Sequence, residues 1–160
     1  MPPEHFDTRA FFMRDRNMLG SANTDFARDL ERFAQRAEFA ERAQAGVLAL
    51  EALVVFGQAG RGIDEPLWNE LAAQVAAHVR KGEDEQAARL LLPQGALVIV
   101  DTLQPSVESA RIVQDGIAVD SEAVANSRGA AIMAALFRAL SCHFEDTAAA
   151  VHTERQSTAD

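Results

Sequence analysis

Residues 96–120 read ALVIVDTLQPSVESARIVQDGIAVD, and whether this stretch is helical or extended decides the class of the whole chain. Its opening, Leu97-Val98-Ile99-Val100, is rich in β-branched side chains and suits a buried strand, but periodicity cannot decide for so short a run. Ala110 to Gln114 and Ile117 to Asp120 flank Asp115-Gly116, a dipeptide favoured in two-residue hairpin turns. A small β-hairpin or meander near residues 96–120, and with it an α+β fold, is therefore the alternative. Pro105 followed by Gly116 reads the other way, as a helix with proline at its start and glycine at its end. Val107, Ala110 and Val113 then face inward.

The surroundings tip the balance to helix. The 160 residues contain 31 alanines and no tyrosine, and alanine has the best intrinsic helix propensity. The expected fold is all-α, a helical bundle of about five or six helices with two long spine helices.

Working outward, residues 24–56 carry the longest helical pattern. Thr24 can cap it and Asp25 suits the positive end of the helix dipole. Phe26, Leu30, Phe33, Ala37 and Ala40 recur at spacings of four and three, an apolar stripe that Val47 and Val54 continue. Asp25/Arg28, Asp29/Arg32 and Glu38/Arg42 can pair along the opposite face. From Ala45 to Phe56 the only charge is Glu51, so this half is expected to be surrounded by other helices; a bilayer crossing needs roughly 20 apolar residues. Glu51 then needs an arginine partner or an opening to water, because an unpaired buried carboxylate is costly.

GQAGRG at residues 57–62 matches neither the P-loop nor the dinucleotide fingerprint and reads as a helix stop. Asp64, Glu65 and Pro66 start the next helix, with Leu67, Leu71, Val75 and Val79 as its stripe and Arg80, Lys81 and Gly82 as its end. His78 sits beside that stripe as a half-buried, hydrogen-bonded histidine. Glu83 to Leu92 is a shorter helix stopped by Pro93. At the far end, Asp120 or Ser121 caps the last long helix, striped by Met133, Phe137, Leu140, Phe144 and Val151. Gly129, Ala130, Ala131, Ala134 and Ala135 give it a thin side, which packs along residues 24–56.

Residues 1–20 form an apolar arm or short helix, 21–152 a single helical domain and 153–160 a disordered tail. The arm's charges interrupt any signal-peptide core. Cys142 is the only cysteine, which excludes an internal disulfide and fits a cytoplasmic protein. The net charge of −9 disfavours nucleic-acid binding, which needs a basic footprint, and favours a protein partner with a basic surface. Cys142, His143, Glu145, Asp146 and His152 cluster in sequence, but the two histidines are nine apart, where a helical metal site wants ligands three or four apart. No catalytic or cofactor motif is present, so neither enzyme activity, cofactor nor metal is expected.

These features point to a small cytoplasmic interaction protein, a regulator or adaptor, dimeric through its arm or its small-residue helix faces. Phe6, Phe11, Phe12, Met13 and Met18 are the candidate partner-binding residues. The alternatives are a helical domain that binds a hydrophobic small molecule near Glu51, Trp68 and His78, and an acidic inhibitor that imitates nucleic acid.

Overall fold

Helices α1 (Gly20–Phe39) and α5 (Arg128–Ser157) lie antiparallel along a shared seam. Ser141 donates to the Ala27 carbonyl at 2.8 Å, Phe33 stacks on Phe137 with ring centroids 4.1 Å apart, and Asn126 donates to the Ala40 carbonyl at 3.1 Å. These contacts run up one helix as they run down the other. The seam follows from the sequence: Ala27, Leu30, Ala34 and Ala37 bury one face of α1, and the unbroken run from Ala130 to Phe137 is buried in α5. The computed structural model describes residues 20–59, 65–92, 95–113 and 121–157, with side chains for 25–55, 66–92, 95–113 and 121–142.

The long helix expected over residues 24–56 is two helices. After Phe39 the chain turns through a short 3-10 segment, Arg42–Gln44, into α2 (Ala45–Ala59). The Glu41 amide donates to Gln44 Oε1 at 3.0 Å, the reciprocal half of a capping box that starts the 3-10 segment leading into the second helix. α3 (Glu65–Arg80) and α4 (Asp84–Leu90) follow. α3 ends as expected: Gly82 has φ 73, the Gly82 amide donates to the Val79 carbonyl and the Glu83 amide to the His78 carbonyl. That pair of bonds is a Schellman closure, which needs a left-handed residue where glycine sits.

The all-α bundle expected from composition is overturned at residues 97–125. Strands β1 (Leu97–Gln104), β2 (Val107–Val113) and β3 (Ser121–Ala125) form an antiparallel sheet in the order β1-β2-β3, so the chain is α+β. Proline at position 105 opens a hairpin turn rather than a helix. Pro105 and Ser106 bridge the paired residues Gln104 and Val107, and Ser106 takes φ 63, the geometry of a type II turn. Ser121, expected to cap the last helix, instead begins β3. The cap of α5 is Ser127, whose Oγ accepts from the Ala130 amide at 3.2 Å.

The sheet's inner face carries Val98, Val100, Ala110, Ile112, Ser121, Ala123 and Ala125, with β2 and β3 laid on α5. Small residues on both sides let strand and helix approach closely. The Asp115-Gly116 turn, the arm at residues 1–19 and the end of the tail at 158–160 lie outside the described residues.

Candidate interaction surfaces

α2 has two faces of similar composition and opposite environment. Leu48, Ala49, Ala52 and Leu53 are buried, whereas Val47 is 55% and Val54 57% exposed, with Leu50 between them also exposed. Positions 47, 50, 51 and 54 share one side of a helix. The expectation that Val47 and Val54 continue the buried stripe of α1 is therefore corrected: the turn at residues 40–44 rotates α2 and sends them outward. Phe39, the last residue of α1, is 83% exposed.

Glu51 lies within this outward face. Its Oε2 accepts from Arg36 Nη2 at 2.6 Å, and the same guanidinium sits 5.9 Å from the Phe33 ring. The carboxylate thus has an arginine partner, although it lies on an outward face and not, as expected, among surrounding helices. Because both side chains are well exposed, this pair ties α1 to α2 at modest energy, about 0–1 kcal/mol.

Trp68 and His78 are both on α3, ten residues apart, which is roughly 15 Å along a helix axis. His78 Nδ1 lies 2.6 Å from Glu83 Oε2, a contact that reinforces the helix end, and Glu51 is engaged by Arg36 on another element. Glu51 and His78 thus each have a separate charged partner. Phe6, Phe11, Phe12, Met13 and Met18 fall outside the described residues. So do the side chains of His143, Glu145, Asp146 and His152; Cys142 is half-buried. Among the described residues no cluster could hold a metal ion, and no helix is long and apolar enough to cross a membrane.

Two polar clusters are internal ties. Arg138 reaches from α5 to Glu38 at 2.5 Å and Glu31 at 3.4 Å on α1, and the hydrogen bond it donates to Glu38 raises its already high pKa against the opposing effect of burial. Glu38 therefore pairs across the seam, not with Arg42 along its own helix. At the other end of α5, Arg128 donates to Thr102 Oγ1 at 3.3 Å and lies 3.5 Å from Glu108, while Glu85 bonds Arg89 at 2.9 Å. Thr102 in turn donates to Glu108 at 2.7 Å. Each of these groups has a partner, and together they pin the hairpin to the helices.

A second apolar surface was missed by sequence reasoning because it depends on residues 97–104 being a strand. On the outer face of the sheet Leu97 is 67% and Ile99 50% exposed, and Leu103, in the irregular step between Thr102 and Gln104, is 56% exposed. Val124 of β3 joins them on that face, and Arg111 and Glu122 lie beside Ile99 in register. The β-branched run Val98-Ile99-Val100 was the available signal.

Comparison with protein-family models, with curated proteins and with solved structures finds no match to this chain.

Proposed function

We propose that this chain is a small non-enzymatic interaction protein of the cytoplasm, a regulator or adaptor, which docks a protein partner on the outward face of α2. The observation that carries this reading is the exposure of Val47, Leu50 and Val54 at helical spacing on a helix whose other side is core. Proteins rarely leave contiguous apolar surface in water unless something covers it. Three apolar side chains spaced by three and four along a helix are what another helix's groove or ridge can engage.

The chemistry of the partner follows from charge. With a net charge of −9 and Glu51 set among the apolar side chains, the complementary surface is apolar at its centre and basic around it. Phe6, Phe11, Phe12, Met13 and Met18 of the arm supply a further contact segment in this reading.

The test is a double substitution, Val47→Glu with Val54→Glu, on positions already facing water. The variant keeps its circular dichroism and melting temperature. Partner recovered by affinity capture from the native host, identified with the wild type and then measured with the purified partner, falls in affinity by about tenfold or more. Unchanged affinity of the double variant for that partner sinks the α2 docking face.

A further inference from the structure

We propose that the outer edge of β1 pairs antiparallel with β1 of a second copy of this chain, joining two three-stranded sheets across a two-fold axis. The inference stands on residues separate from the α2 face, so either can fail alone.

The two edges of the sheet are built differently. β3 is five residues long, with Ser121, Ala123 and Ala125 buried against the helix. β1 is eight residues long, and its regular part, residues 97–102, carries no lysine, arginine or proline. Its only irregularity lies between Thr102 and Gln104, at the hairpin end. Monomeric proteins protect edge strands with charge, proline, shortness or a bulge; here the regular run of β1 is unbroken and its one charge is Asp101. Among the described residues, the backbone of this run pairs with β2 alone. Backbone groups that no other described residue pairs, beside exposed Leu97 and Ile99, form a template for another strand.

Charge selects the occupant. A basic strand would find one carboxylate on β1, Asp101, and otherwise apolar or neutral side chains. The strand that suits LVIVDT is itself apolar and nearly neutral, and β1 meets its own requirement. A two-fold contact also doubles every favourable pair, because each residue that touches a neighbour is touched in return.

The register is constrained as well. Antiparallel pairing sets residues of the same face opposite one another. Centring the axis on Ile99 opposes Ile99 to Ile99, Val98 to Val100 and Leu97 to Asp101, all before the irregular step at residues 102–104. The two Asp101 carboxylates are then about 14 Å apart by strand geometry, farther than the screening length of ~8 Å at physiological salt. Centring on Asp101 would oppose the two carboxylates directly, which is destabilising. Centring on Val100 would draw the irregular Leu103 into the ladder.

Light scattering on the full chain at high micromolar concentration gives the mass of two copies. Ile99→Lys, placed at an exposed site, reduces it to one copy while Val54→Lys leaves two. In a Cys142→Ser background, Ile99→Cys cross-links to a covalent dimer under mild oxidant, which covers the case in which the lysine variant folds poorly. A wild-type chain that is monomeric at that concentration overturns the proposal, as does a dimer that survives Ile99→Lys and gives no Ile99→Cys cross-link.

Discussion

Gly129 packs directly against the Asp84 backbone. A Cβ built on Gly129 would lie 2.8 Å from the Asp84 carbonyl oxygen and 2.9 Å from its carbonyl carbon, and one on Gly46 would lie 2.9 Å from Val79 Cγ1. The two glycines let α4 wedge between α2 and α5, yet they differ in what a methyl would meet. Gly129→Ala pushes on backbone held at the start of a helix and should cost about 2–3 kcal/mol in urea unfolding; Gly46→Ala pushes on a side chain and should cost about 1. Equal costs would mean that α4 can shift as a body. Ser106 shows the reverse situation, a non-glycine residue with φ 63. Left-handed backbone costs an L-residue roughly 1–2 kcal/mol, and the extra freedom of glycine in the unfolded chain returns about 0.4–1 of that. Ser106→Gly should therefore stabilise the protein by about 0.5 kcal/mol, visible as a higher urea midpoint at unchanged slope.

At the scale of elements, the seam between α1 and α5 is held by packing and by one charged bridge. Arg138 is only about a quarter exposed and donates to Glu38 and Glu31. Arg138→Met should cost about 1–3 kcal/mol because it leaves Glu38, itself mostly covered, without its cation. Glu38→Gln should cost less, since an amide oxygen still accepts. A double-mutant cycle between the two positions should return a coupling of about 1 kcal/mol, and a coupling near zero would remove the bridge from the list of things that hold the seam. Much of this seam was legible: the spacing of Leu30, Phe33 and Ala37 and the small residues from 129 to 135 each identify a buried helix face. The sheet was not, because propensity summed over an alanine-rich chain outweighed a short local signal. Pro105 serves equally as the first residue of a helix and as the second of a turn, and only the pairing of Gln104 with Val107 decides between them. The break at residues 40–44 was hidden for a related reason. Glu41 and Gln44 form a capping box inside a stretch whose helical pattern runs on through it. What could be read of the surfaces followed the same division. An arginine partner for Glu51 was foreseeable, although the carboxylate is 40% exposed and not buried as expected, whereas the outward turn of Val47 and Val54 depends on that break.

For the whole molecule, the question is which apolar residues hold the fold and which are held in reserve for another surface, and α2 puts the two kinds side by side. Leu53 is buried and Val54, the next residue, faces water. If hydrophobicity alone decided their roles, truncating either would cost similar stability. The environment argues otherwise: Leu53→Ala empties a packed site and should cost about 2–4 kcal/mol, whereas Val54→Gln removes a side chain that already meets solvent and should change stability by no more than about 0.5. The two substitutions should exchange ranks when association is measured. Val54→Gln should weaken capture of the partner at full stability, while Leu53→Ala, at temperatures where it remains folded, should leave the docking face intact and bind normally. A Val54→Gln variant that loses stability as heavily as Leu53→Ala would mean that the outward face of α2 is core to this protein, covered by its own chain and closed to any partner.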